Sequence, residues 1–514
     1  MGEAQGTLFQ PEFNRAIKVQ SFDQKITSHA GAVLLREADH QLGLVESLAE
    51  QITDPRHPDK IRYTATELIR ERIYAMALGD EDQDDLDRLA HDPAMRMATW
   101  DRPGQEVLEQ RLASQPTQSR LLDWLANGPG NLEALRHGLF DWTHRHLRST
   151  GRKYSRQGHS RQGHPAYNGG HAVMRATIDI DSFPIKVYGQ QQGGKYNGYY
   201  HAKVYHPLIA SFCVDGDYDH AGSRFGNGFL HAILREGQVH TAQGMNRFTK
   251  QVVSQARQMA RNFDLRLDAG YTIGRVMDSI TDENVRFCGR LKKNPVLERL
   301  AAPHLARPVG RPPKEGYEKV IELGKYQAKG WKHAQRVILV IVDKPDPKTG
   351  QLRLFPRYFF LITNWPLTLR SGEQLLAHYR KRGTFEDRLG EFNAVIGPHL
   401  SSKEFAENEA TMLLSMLAFN LSTILRNELE AATGGSWDLE RFQQTVLRAG
   451  GRVTKHARRL WLSVESSVSS FWSILTKRLA RLTLSSLWSS PKGAHSQAYI
   501  PPPPHSHRSL VLRG

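Results

Sequence analysis

Cysteine is nearly missing from this chain. Its 514 residues include two, Cys213 and Cys288, too few for a disulfide framework or a thiolate zinc site, and such usage fits a reducing compartment. Long apolar runs are missing too: nowhere do about 18 uncharged apolar residues follow one another, so no membrane span is expected. The opening MGEAQGTLFQPEF lacks the basic stretch and apolar run of a secretory leader, and a cytoplasmic protein is the reading. Acid is scarce relative to base, with 53 Asp and Glu against 69 Lys and Arg and a net charge of +16. With a pI near 9.7, the natural partner is a polyanion, whose condensed counterions Lys and Arg release. A chain of 514 residues exceeds a minimal binding module and implies two or three structural units.

Apolar residues at helical spacing in VLLREADHQLGLVESLAEQI, in RYTATELIRERIYAMAL and from Leu121 to Leu139 predict a mainly helical unit over 1–145. Within it Asp80, Asp82 and Asp84 have the spacing of a calcium loop. The Gly and Glu such a loop needs are Asp85 and His91, so these acids read as a helix start or a solvated surface. A basic Gly/Ser/His linker follows at 146–171, with SRQGH twice in tandem at 155–164. ATIDIDSFPIKVYG, YHAKVYHPLIASFCV, LRLDAGY and VRFCGRL predict strands, broken by the helical pattern of HTAQGMNRFTKQVVSQARQMARNF, which makes 172–295 the first part of an α/β core. RVILVIVD, KPDPKTG and LRLFPRYFFLITN predict a hairpin at 337–363 inside a β-rich segment spanning 296–366. That segment also holds GRPPKEG, a weak match to a minor-groove hook. Helical patterning returns in 367–445, followed by a basic region at 446–490 and a Pro-rich tail at 491–514 that reads as unstructured. From 446 onward eleven Lys and Arg accompany a single acid, Glu465.

Acids at strand ends of a basic protein need a reason, because an isolated buried carboxylate is costly. Asp181 ends the strand TIDID, and Asp179, two residues earlier, shares its face. Asp268 in LRLDAGY ends a second apolar strand, where open α/β sheets place ligands. Glu386 lies in HYRKRGTFEDRLGEF. On one continuous helix, Arg382 to Glu386 turns about 400° and Glu386 to Asn393 about 700°, which aligns all three near Tyr379. Three such carboxylates can hold two divalent cations about 4 Å apart and act on a phosphodiester.

The order of strand Asp181, strand-end Asp268 and helical Glu386 within Y-x-x-R-x-x-x-E resembles the DDE transposases of bacterial insertion sequences, in the branch with a Tyr-Arg-Glu-Lys signature. Tyr379, Arg382 and Glu386 carry the match. ALGDEDQDDLDRLAHDP and RLASQPTQSR are similar to the helical amino-terminal region of that group, and YHPL recurs in it. The resemblance covers roughly 25–460. It implies an α/β fold with an RNase H-like catalytic core and a β-rich insertion, preceded by a mainly helical DNA-binding region. It also implies catalytic and metal-binding roles for Asp181, Asp268 and Glu386 with two Mg2+, or Mn2+ in their place, and phosphate contacts from Tyr379 and Arg382. The implied activity is DNA cleavage at transposon ends and strand transfer into target DNA. By the same resemblance the partner would be double-stranded DNA, meaning terminal inverted repeats and target, the enzyme would act as a homodimer or higher oligomer, and its location would be the bacterial cytoplasm and nucleoid. The signature's Lys is Asn393 here, and Arg388 points to another sector of the helix. That departure keeps two alternatives open, a catalytically impaired DNA-binding descendant and an RNase H-like nuclease. Lys292 and Lys293 are placed to meet backbone phosphate or to stand free on a loop. Trp331 is placed to stack on an unpaired base or to pack in the core.

Overall fold

The computed structural model describes residues 7–20, 24–102, 104–157, 172–214, 228–307, 315–346, 348–352 and 354–482. The tandem SRQGH repeat beyond Gln157, GRPPK and the Pro-rich tail lie outside them.

A short strand, β1 (Lys25–Thr27), precedes a helical part whose long members are α1 (Ala32–Leu42), α2 (Ala65–Leu78) and α3 (Asn131–Gln157). Thr64 and Glu67 form a reciprocal capping box at the start of α2, satisfying two backbone donors that a helix start leaves orphaned. α3 continues past residue 146, into the segment whose composition suggested a linker. Buried polar pairs tie these helices together. Arg70 Nε donates to Asp39 at 3.0 Å, and the Tyr74 hydroxyl donates to the same carboxylate at 2.8 Å. Asp80 corrects the expectation of a solvated surface. It is buried, because His29 Nε2 bonds it at 2.9 Å and Arg88 Nη2 donates to it at 2.5 Å, supplying the charge that makes burial tolerable.

The core contains β2 (Val173–Asp181), β3 (Leu208–Val214), β4 (Gly228–Ile233), α4 (Met245–Met259), β5 (Ala260–Leu267), α5 (Gly274–Asp282) and β6 (Arg286–Leu291). After it come β7 (Tyr317–Tyr326), β8 (Gln335–Asp343) and β9 (Arg357–Thr363). All eight strands from β2 to β9 form one sheet, in the order β7-β8-β9-β6-β5-β2-β3-β4. β2, β5 and β6 run parallel, while β3 and β4 pair antiparallel on one side, an RNase H-like core. The β-rich segment continues the same sheet, because β9 pairs antiparallel with β6 from Cys288 opposite Thr363 to Leu291 opposite Phe360. Alternation along β2 and β5 sends Ile178, Ile180, Leu265 and Leu267 to a face packed with α4 and α5. Asp179, Asp264 and Arg266 are thereby sent to the other face.

Over that polar side lie α6 (Gly372–Arg380) and α7 (Gly383–Val395), and then comes α8 (Phe405–Thr433). Every residue from Asn408 to Glu430 of α8 is buried, so this helix is a spine between the helical part and the sheet. Asn420 on α8 accepts from Phe229 N–H at 2.8 Å and donates to Phe229 C=O at 2.9 Å, satisfying backbone groups of β4. Gly228 beside it has no room for a side chain, since a Cβ there would lie 2.7 Å from Thr143 Oγ1. The described chain closes with β10 (Gly451–His456), β11 (Arg459–Val464) and α9 (Ser469–Leu479). β10 pairs with β11 and also with β1, so residues 25–27 meet residues 451–453. No helix among the described residues is long and apolar enough to cross a membrane.

Candidate active site

The carboxyl ends of β2 and β5 bring the two strand acids together, and α7 brings the helical one. Phe385, Leu389 and Phe392 of α7 are buried, with Phe392 edge-on to Phe183, Phe229 and Phe419. This aromatic anchor fixes the helix while its opposite side keeps Glu386 60% exposed. Tyr379, Arg382 and Glu386 do not share one continuous helix. α6 ends at Arg380, and a tight turn through Lys381 and Arg382 leads into α7, with Lys381 N–H bonded to His378 O and Arg382 N–H to Tyr379 O. Three-residue spacing in that turn still leaves Arg382 facing Glu386, as the ion pair between them records.

Asp179 and Asp181 are equivalent in sequence pattern and different in the structure. Asp179 is buried against Arg266 of the neighbouring parallel strand, whose Nε and Nη2 donate at 2.7 and 2.5 Å while Nη1 donates to His378 O at 2.9 Å. Its charge is matched and its oxygens are occupied. Asp181 sits at the open end of the strand, accepts from Ser182 N–H at 2.8 Å, and is bridged to Glu386 by the Arg382 guanidinium. Burial pushes the Asp181 carboxyl up to about 6, Arg382 opposing and the negative charges of Asp268 and Glu386 adding to the shift. One guanidinium, Arg382, pairs with two of the three carboxylates, and among the described residues no other cation pairs with them, so the site is short of positive charge.

Three convergent carboxylates are hard oxygen donors of the kind that hold Mg2+ or Mn2+. The fit is chemical, through Asp181 held partly desolvated with Asp268 and Glu386 near enough to perturb it. As the side chains stand, no three metal-ligating groups among the described residues are gathered tightly around one point. Arg382 fills the gap between Asp181 and Glu386, and its buried Nε has no hydrogen-bond partner among the described residues.

The other sequence candidates lie around this opening. Tyr379 is part-buried, and burial, reinforced by Asp268, pushes its phenol well up. Lys292 and Lys293 are exposed just beyond the carboxyl end of β6, with Lys293 Nζ 3.5 Å above the Tyr358 ring. Trp331 packs edge-on to Tyr326 at 5.5 Å and against Gly274, the first residue of α5. That packing favours the core reading of Trp331 over base stacking. Asn393 is exposed near the end of α7, whereas Arg388 is buried on its inner side.

Sequence reasoning missed a polar cluster beside Asp181. The Tyr271 hydroxyl donates to Ser182 Oγ at 2.7 Å, and Ser182 Oγ bonds His206 Nε2 at 2.8 Å. Burial and then Arg235 push His206 down to about 4, so it is a neutral acceptor in this chain. The signal was available, since His206 is the second residue of YHPL.

Among curated proteins none matches this chain. Among solved structures, a cryo-electron microscopy structure of the piggyBac transposase synaptic complex with hairpin DNA is similar over 90% of this chain and 87% of that one, with 12% identity and a TM-score of 0.40. A likeness that distant carries no argument. The family model described as "Transposase DDE domain group 1" matches residues 9–486. A match over nearly the whole length, helical part and sheet included, shows that the chain belongs to the DDE transposase family.

Proposed function

We propose that this chain breaks DNA at the ends of an insertion sequence and joins the freed 3′ ends to a target duplex, acting on bacterial nucleoid DNA as a homodimer or larger assembly. The supporting observation is that carboxylates from three elements distant in sequence converge at the open end of one sheet with a single guanidinium between them. Bound there by Asp181, Asp268 and Glu386, two Mg2+ or Mn2+ would activate a water or a 3′-hydroxyl and neutralise the leaving oxygen. The chain's own groups do the rest. Arg382, released from its carboxylates, meets the phosphate beside the scissile bond, and Tyr379 orients that phosphate. Lys292 and Lys293 hold the backbone further along, and the Tyr271–Ser182–His206 chain keeps the Asp181 end of β2 in place.

Incubating a plasmid carrying the element and its flanking inverted repeats with the protein and MgCl2 tests the proposal. The parent protein breaks strands at the repeats. Asp268→Asn abolishes breakage and leaves the gel shift of end DNA intact; breakage by that variant overturns the metal-site assignment. A second reading rests on Asn393, exposed where the family signature has a Lys. A catalytically impaired descendant would bind DNA in a salt-sensitive way with no Mg2+-dependent breaks by the parent itself.

A further inference from the structure

The hairpin β10–β11 stands apart from the carboxylate site, and its two faces differ. Leu462 opposes Val453 on the inner face, where Val453 is buried, and Lys455 on that side reaches Glu109 at 3.2 Å. The outer face is exposed along its whole length, with Arg452 opposite Ser463, Thr454 opposite Trp461, and His456 opposite Arg459. Trp461 is 53% exposed, and Ile26 of β1, beside Arg452, is 56% exposed. From Gly451 to Val464 there is no Asp or Glu. Arg452, Arg458 and Arg459 have no side-chain partner among the described residues.

The turn adds a second observation. Ala457 and Arg458 form the two-residue tip, with φ of 48° and 61°. Left-handed geometry in both central positions gives the twist that two-residue hairpins need, and glycine or asparagine normally supplies it. Here a strained tip presents an arginine instead, and backbone strain of this kind gathers at functional positions.

We propose that this hairpin is a DNA-reading element, laid with its outer face in the major groove of a duplex. A two-stranded ribbon is one of the shapes a major groove about 12 Å wide admits. Arg452 and Arg459 sit at opposite ends of the outer face, four strand positions apart, or about 13 Å at 3.3 Å per residue. They match the phosphate walls on either side of the groove. Trp461 and Thr454 between them face base edges, where a ring and a methyl give apolar contact with thymine. Arg458 at the tip reaches a further phosphate. The inference rests on the reading of the chain as a DNA-handling protein, and it assigns the grip on the duplex to a surface separate from the chemistry.

Fluorescence anisotropy with the full chain and a 30-base-pair mixed-sequence duplex, over a range of salt concentrations, tests it. The double variant Arg452→Ala/Arg459→Ala is expected to bind roughly tenfold more weakly at about 0.15 M salt, with the log–log salt slope shallower by about 2. Arg452→Lys/Arg459→Lys keeps the slope. Trp461→Ala weakens binding with the slope unchanged. Arg458→Gly supplies opposite signs: relief of the left-handed strain raises the melting temperature, while DNA binding falls and the slope drops by about 1. Affinity and slope equal to the parent in the double alanine variant, with an unchanged melting temperature, overturn the proposal. So does a change in sedimentation without a change in DNA binding, which would mark the face as a contact between proteins. Loss of strand breakage in a protein that keeps hairpin-dependent binding would count against the proposed function and leave this inference standing.

Discussion

Two aspartates, Asp80 buried in the helical part and Asp181 part-buried at the carboxyl end of β2, are shifted in opposite directions. Asp80 is saturated: although burial alone would raise it, His29, Arg88 and Arg448 hold its carboxyl below the usual range. Asp181 has one guanidinium that it shares with Glu386, and its carboxyl is pushed up to about 6. Burial with enough partners makes a structural joint, and burial with too few makes a site that waits for charge. Asp179, two residues from Asp181, belongs to the first class, and that proximity makes the contrast testable.

The largest expected effect is a separation of Asp179 from Asp181. Asp181→Asn lowers strand breakage by more than about 1,000-fold with little loss of stability, since each 1.36 kcal/mol of lost transition-state stabilisation is tenfold in rate. Asp179→Asn removes the carboxylate that takes two hydrogen bonds from buried Arg266 and costs about 3–5 kcal/mol in urea unfolding. If the two variants trade these phenotypes, the comparison is broken. Phe392→Ala, which removes the anchor of α7, is expected to cost about 3–4 kcal/mol and to reduce breakage through a displaced Glu386. Calorimetry and the plasmid assay together check it.

The Asp80 joint has its own pH signature. Burial lowers the pKa of His29, but Asp80 and Asp92 win and push it up to about 9 from an ordinary 6.5. A raised pKa means that this stabilisation is fully present below about pH 6.5 and lost as pH rises through about 9. Unfolding free energy should therefore fall by about 3 kcal/mol across this window, and His29→Gln should remove the dependence. The smallest effect sharpens the same point. Arg88 is half exposed, so Arg88→Ala should cost less than about 1 kcal/mol, leaving the buried His29 contact as the greater part of the joint.

Much of the candidate site was legible because its acids sit in short patterns: TIDID and LRLDAGY each mark the end of a strand, and Y-x-x-R-x-x-x-E marks the helical segment. The choice between Asp179 and Asp181 was not, because it depends on Arg266, which lies opposite Asp179 only through the register of two parallel strands. The same limit hid the pairing of His29 with Asp80 and made that buried acid look solvated. Helical arithmetic across residues 379–393 assumed an unbroken helix, and the turn at Lys381 and Arg382 changed the path while preserving the neighbours. Strand patterns at 337–363 revealed a hairpin but not its place, since joining it to β6 is a matter of edge pairing that alternation does not encode.

The strand pairing between residues 25–27 and 451–453 has a consequence for how the chain is made. At about 5–20 residues per second of synthesis, the early strand waits roughly 20–90 s before its partner leaves the ribosome. Ribosomes that stop early release a chain whose first strand has no mate and whose spine is unclosed. A chain released early therefore leaves the backbone of residues 25–27 without its partner strand, the kind of open edge that proteolysis finds first.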